Sequence, residues 1–146
     1  MNLAHVHRFG YWFTQRKIPL IPRLVQFYEF VIYNSYIGTH VKLGKGTLFA
    51  YKGMSVALHK HVEVGDNCIL GIHLVVGGRS KLPRVPRIGN NVFISHNVTI
   101  LGDLTIGDNV VIGAGAVVIG DIPANCVAAG VPAKVIRENI DPKEFW

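Results

Sequence analysis

"IGNNVFISHNVTILGDLTIGDNVVIGAGAVV", residues 88–118, carries an aliphatic side chain at every sixth position. Ile88, Ile94, Ile100, Ile106, Ile112 and Val118 keep the step without a slip, and the fourth residue after each is again apolar: Val92, Val98, Leu104, Val110, Ala116 and Ile122. A period of six would smear these positions around an α-helix, whose turn is 3.6 residues. It fits short strands joined by tight corners, with the aliphatic pointing inward and glycine, Asn or Asp taking the corner geometry that β-branched residues resist. Three hexads then close one triangular coil, and equivalent residues of successive coils stack at the inter-strand spacing of about 4.8 Å.

The same step extends upstream through Leu58, Val64, Leu70, Val76 and Leu82, and before that through Ile37, Leu43 and Phe49. The one visible phase break is three extra residues between Phe49 and Leu58. Glycine follows the aliphatic at 38, 44, 65, 71, 77, 89, 107 and 113, whereas after Leu58 the chain reads His59-Lys60-His61. The repeat predicts an all-β solenoid, a parallel β-helix of between four and five coils over residues 37–137. Cys68 and Cys126 fall where small buried residues belong.

A solenoid needs capped ends, because its terminal coils expose strand edges and apolar core. Residues 1–36 are expected to form an N-terminal helical cap of the same domain, with Leu24, Phe27, Tyr28 and Val31 of "IPRLVQFYEFVIY" on one helical face. His5 and His7 read as solvated tail residues. "IPANCVAAGVPAKVI" loses the hexad and reads as a C-terminal capping loop, followed by a tail over 138–146.

With 49% hydrophobic and 16% charged residues in a chain of 146, disorder is excluded and one domain is expected. No secretory leader is evident, and the apolar run over 18–36 is broken by Pro19, Pro22, Arg23, Gln26 and Glu29, so no bilayer span is expected. The two cysteines form no disulfide framework, which makes the cytoplasm the default compartment. The net charge of +6 suits an anionic partner. No nucleic-acid-binding signature accompanies it, and nucleic acid is not expected. Arg8, Arg16, Lys17 and Arg23 alternate with Tyr11, Trp12, Phe13, Leu20 and Phe27, a composition that fits a peripheral contact of residues 8–33 with the inner face of a membrane. The competing expectation is a cap packed over the first coil with its cations in water.

Taken with "KLGKGTLFAYKGMSVALH" and "DIPANCVAAGVPAKVIR", the opening stretch resembles the hexapeptide-repeat acyltransferases. The likeness is nearest to the serine acetyltransferase-like branch found among sugar and polysaccharide O-acetyltransferases, and "AAGVPAKVIR" is also similar to galactoside and maltose acetyltransferases. The resemblance implies a left-handed parallel β-helix, a homotrimer, and acetyl-CoA as acyl donor in the grooves between subunits. It implies O-acetylation of a sugar or polysaccharide-precursor hydroxyl. Serine O-acetylation and amino-sugar N-acetylation are the alternatives.

Transfer from a thioester to a hydroxyl needs a base for the hydroxyl proton and a donor for the oxyanion. Serine acetyltransferases place the base in a "DH" pair, where this chain has Tyr51 or Lys52 according to the placement of a gap, and their second histidine falls on Val85. Sugar-modifying relatives share the histidine of "VALH", so His59 is the expected base, with His73 as second catalytic candidate if a neighbouring subunit brings the two together. His61 and His40 are expected to stack on the outside. Small residues in a column, Gly78, His96, Ala114 and Pro132, are implied to receive pantetheine, with His96 the departure from small. Lys134 and Arg137 are implied to meet the nucleotide phosphates, and Arg79, Lys81, Arg84 and Arg87 to line an acceptor entrance suited to an anion. No metal is expected. A γ-carbonic-anhydrase-like metalloenzyme and a non-catalytic scaffold are the remaining readings.

Overall fold

The computed structural model describes residues 1–81 and 84–145. Three parallel sheets wrap into a triangular prism. On the first face Ile37, Leu58, Val76, Ile100 and Val118 stack in register. On the second, Leu43, Val64, Ile88 and Ile106 do so, with a single bridge carrying the column on to Ile122. On the third, Phe49, Leu70, Ile94, Ile112 and Ala128 complete the core. All are buried except Leu43, which is half-buried, so the hexad aliphatics form one continuous apolar axis. The apolar positions four residues on, among them Val41, Val62, Cys68, Leu74, Val92 and Val98, fill its corners.

The outward residues of the three faces differ. The second face shows water Lys42, Glu63, Arg87 and Thr105, all exposed. The first carries Tyr36, Ala57, Val75, Thr99 and Val117, and the third Leu48, Ile69, Phe93, Val111 and Val127. Two of the three outer surfaces are thus largely apolar, a pattern for burial against other protein.

Two insertions interrupt the coils. Residues 50–56 swell the corner between the third and first faces, as the phase break predicts. The second corrects the expected register: Val76 pairs with Ile100 and Val64 with Ile88, so one whole hexad leaves the prism between Val76 and Ile88. Because the insertion equals the repeat, the period of six runs through it undisturbed. Leu82, expected as an inward aliphatic, lies outside the described residues.

The N-terminal cap is a pair of helices, α1 (Leu3–Gln15) and α2 (Leu20–Tyr33). Asn2 starts α1 by accepting the Ala4 N–H at 3.0 Å, and binds the first coil through Nδ2 to the Phe49 carbonyl at 2.7 Å. Pro22 is tolerated because it lies in the first turn of α2, where no intrahelical donor is required. The helices meet at Gly10, where a Cβ would come within 2.9 Å of Val25 Cγ1. The face that Leu24, Phe27, Tyr28 and Val31 share on α2 is turned to solvent. Leu24, Phe27, Tyr28 and Val31 are 58, 68, 43 and 59% exposed, and the buried side is Pro22, Glu29 and Tyr33 with half-buried Val25.

The reason is polar. His7 is buried too, against the expectation of a solvated tail: its Nε2 lies 2.9 Å from the Val41 carbonyl and must donate to it, and its Nδ1 is 3.3 Å from buried Glu29 Oε1. Gln26 donates to the Ile37 carbonyl at 2.8 Å, and the Tyr33 hydroxyl to the Met1 carbonyl at 2.9 Å. Partners that would be costly to desolvate unpaired turn this side of α2 inward.

The C-terminal cap is a hairpin in the third sheet. Cys126–Gly130 runs parallel to its predecessor, and Ala133–Glu138 returns antiparallel beyond it. Among the described residues no helix is long and apolar enough to cross a membrane.

Coil spacing makes a sharp stability prediction. A Cβ at Gly71 would run into the Ser95 carbonyl of the next coil, whereas at Gly77 its nearest neighbour would be Leu101 Cδ2 at 3.6 Å. Gly71→Ala should cost about 1–3 kcal/mol, and Gly77→Ala less than about 0.5 kcal/mol, in urea unfolding midpoints.

Candidate active site

His59 follows Leu58 at the corner from the first face to the second, in a slot that is glycine at 38 and 77 and is Leu101 and Ile119 in the later coils. At this corner a Cβ on Gly38 would point at the Lys60 backbone of the following coil, whereas a Cβ on Gly77 would find its nearest neighbour in Leu101 Cδ2 at 3.6 Å. The next coil arrives at this corner as Gly77 and Gly78 and then departs as the inserted hexad. The imidazole at 59 therefore lies directly beneath the start of the excursion.

The departing segment makes a cleft of about 490 Å³ lined by His59, His61, Glu63, Gly78, Arg84, Val85 and Arg87. His59 and His61 are both exposed, with ring centroids 5.5 Å apart. The His61 backbone N–H donates to His59 Nδ1 at 3.3 Å, which leaves the hydrogen of neutral His59 on Nε2. Two guanidinium-bearing residues and two imidazoles around one open cavity suit a ligand with an anionic group beside a hydroxyl. Of these residues the sequence points to His59 as base and to Arg84 and Arg87 at an acceptor entrance; it places His61 with His40 on the outer surface and Gly78 in the pantetheine column, and it does not mark Glu63. Glu63 pairs in register with Arg87 on the second face, a contact hidden by the hexad-long insertion.

Tyr51, His73 and His96 gather at another corner, from the third face to the first. The Tyr51 and His96 rings are 5.6 Å apart, and His96 Nδ1 accepts the Ile72 N–H at 3.2 Å. His73, exposed, donates its backbone N–H to the Met54 carbonyl at 3.2 Å. Within one chain His59 and His73 flank opposite edges of the first face, so a site containing both needs a second chain.

The register also redraws the expected column. Ile94, Ile112 and Ala128 stack, so the residues two beyond them are His96, Ala114 and Gly130. Gly78 belongs with the His59 corner instead, and Pro132 lies in the hairpin turn between the last two strands. Ala114 and Gly115 are exposed, and a Cβ at Gly115 would meet nothing within 4 Å, so the corner is an open shelf on which extended backbone or a pantetheine arm can lie. Lys134 is paired with Ala129 across the hairpin at the end of this shelf. Arg137 lies opposite Val127 and donates to Glu144 Oε2 at 2.8 Å, an exposed ion pair of little energetic weight. His40 is exposed on the outside, and Arg79 and Lys81 are exposed at the start of the inserted hexad. Among the described residues no three His, Cys, Asp or Glu side chains converge as metal ligands.

With this geometry in place, comparison with known proteins defines the class: residues 86–120 match the family model described as bacterial transferase hexapeptide (six repeats). The chain is 33% identical over 141 residues to the serine acetyltransferase of Helicobacter pylori, covering 94% of this chain and 78% of the relative. It is 36% identical over 141 residues to that of Synechococcus elongatus, covering 93% and 57%, and 38% identical over 127 residues to the galactoside O-acetyltransferase of Escherichia coli, covering 79% and 62%. Among solved structures, Brucella abortus serine acetyltransferase in complex with coenzyme A superposes with a TM-score of 0.88 at 27% identity, over 94% of this chain and 55% of that one. Neisseria gonorrhoeae serine acetyltransferase in complex with serine superposes with a TM-score of 0.85 at 27% identity, over 92% and 55%. The chain belongs to the hexapeptide-repeat transferases and is a homologue of the serine acetyltransferases. It spans little more than half the length of several of these relatives.

The cysteines stand apart from the site. Cys68 and Cys126 are buried, and desolvation pushes both thiols above the ordinary range. Their Sγ atoms face the Gly89 and Pro123 carbonyls at 3.2 and 3.1 Å. Ellman's reagent at neutral pH should label neither cysteine in the folded protein and both after denaturation.

Proposed function

We propose that this chain is an acetyl-CoA-dependent O-acetyltransferase, with His59 as general base and an acceptor that carries an anionic group near its hydroxyl. The observation that carries the proposal is the cleft beside the inserted hexad, where His59 faces solvent next to Arg84 and Arg87. The acceptor oxygen attacks the thioester carbonyl, the new C–O bond forms as the C–S bond breaks, and the hydroxyl proton passes through His59 to the departing thiolate. Nε2 can take that proton only in the tautomer with hydrogen on Nδ1. The 3.3 Å contact from the His61 N–H must therefore open when the acceptor binds.

The acyl donor is assigned to the shelf of His96, Ala114 and Gly130. Ala114 and Gly130 let pantetheine approach main-chain groups, while His96, held between the Ile72 N–H and Tyr51, forms its fixed wall. Lys134 stands where phosphates would emerge, and Arg137 would join it by exchanging Glu144 for them. The apolar outer surfaces of the first and third faces support a homotrimer, whose neighbouring chains would bring the shelf of one against the cleft of another.

Serine is the acceptor favoured by the relatives, and its carboxylate suits Arg84 and Arg87. A sugar hydroxyl is the second reading. It is favoured by Tyr51, Lys52 and Val85 at the places where the serine enzymes are expected to carry histidines, and by the shift of the imidazole to position 59.

Acetyl-CoA turnover across serine, free sugars and nucleotide sugars separates the two acceptors. With the best of them, His59→Ala should lower kcat by at least ~100-fold. Acetyl-CoA affinity should hardly change, because the donor is held at another corner. A folded His59→Ala protein with near-normal turnover would overturn the assignment and direct the test to His73 and Tyr51.

A further inference from the structure

The side of the two-helix module turned away from the solenoid is apolar along its whole length. Leu20, Leu24, Phe27 and Val31 recur at steps of four, three and four, which sets them in one line along α2. Phe30 and Ile32 flank the line, and every one of these residues is more than half exposed. Phe9 of α1 joins Leu24 and Tyr28 in a groove between the helices of about 550 Å³, whose walls also include Met1, Val6, Ile21 and, as the one titratable side chain besides Tyr28, exposed His5. Single exposed apolar residues are ordinary on protein surfaces; a continuous helical face is not.

The charges beside this face indicate what covers it. Through residue 62 the chain has one acidic residue, Glu29, and that carboxyl is buried against His7. Arg16, Lys17 and Arg23 are exposed where the two helices join, at the Leu20 end of the apolar line. Arg16 lies over the Trp12 ring, 3.4 Å from its centroid, so an amphipathic aromatic and a cation sit together at the edge of the face. A second copy docked face to face by a two-fold axis would bring the same cations and no exposed carboxylate to answer them. An anionic bilayer answers both features. The apolar line enters the boundary between headgroups and acyl chains, and the guanidinium and ammonium groups remain among the phosphates.

We propose that the outer face of α1 and α2 is a docking surface for an anionic lipid bilayer, with α2 lying parallel to the membrane plane. This does not depend on the acetyl transfer proposed above, and its test measures no turnover.

The test is co-sedimentation of the full chain with vesicles of phosphatidylcholine alone and of phosphatidylcholine with about a third phosphatidylglycerol, each at low and high salt. The expected result is binding to the anionic vesicles at least ~10-fold tighter than to the neutral ones, with the difference shrinking in salt. Leu24→Glu with Phe27→Glu should abolish it. Arg16→Gln with Lys17→Gln and Arg23→Gln should leave only the weaker binding, equal on both vesicles. These side chains point to solvent, so circular dichroism and melting temperature should stay those of the wild type. Absence of binding to either vesicle at low salt overturns the proposal, as does binding unaffected by Leu24→Glu with Phe27→Glu. Light scattering supplies a third overturning result. If the protein without lipid forms a larger assembly that this double variant reduces, the face is covered by a second copy instead.

Discussion

Each coil rests on the next through backbone hydrogen bonds at strand spacing, and this closeness governs the rest of the molecule. The Gly38 N–H reaches the Leu58 carbonyl at 3.0 Å, Gly65 reaches Ile88 at 2.9 Å and Gly113 reaches Ala128 at 2.8 Å. Backbones so near leave no room for a Cβ directed along the axis, so the residue after each inward aliphatic is usually glycine. The corner from the second face to the third meets the same demand through Asn67, Asn91, Asn109 and Asn125, all at positive φ, with side-chain amides linked from Asn91 to Asn109 at 3.1 Å and from Asn109 to Asn125 at 2.8 Å. The imidazole at 59 occurs where the following coil swings away.

The coils were legible because the spacing constraint repeats in the sequence with the period of the structure. Ile88 to Val118 could be placed on their faces by counting. The second insertion was illegible for the same reason. An excursion of one hexad restores the phase it disturbs, and only the pairing of Val76 with Ile100 shows that Gly78 and His96 stand on different corners. The three residues added between Phe49 and Leu58 shift the phase and could be read.

The helices show another limit. Amphipathic spacing identifies a face without saying which way it turns. In α2 the spacing sets Leu24, Phe27, Tyr28 and Val31 on one face without a direction, and His7 with Glu29, Gln26 with the Ile37 carbonyl and Tyr33 with the Met1 carbonyl turn the other side inward. Nothing in local sequence pairs a histidine at 7 with a carboxyl at 29. The catalytic candidates were legible as residue types out of place, above all His59 in its glycine slot, while the company they keep came from register.

The hexad that leaves the prism between Val76 and Ile88 is spliced out of a stack already closed beneath it. Val64 pairs with Ile88 and Val76 with Ile100 across the excursion, so the register of the coils does not depend on its length, while its returning end packs half-buried Val85 against the core. The shelf at Ala114 enjoys no such independence, since each of its residues is also a corner of the stack. A scaffold built this way holds the shelf to the shape of the stack and lets the wall of the cleft change length without disturbing the register beneath it.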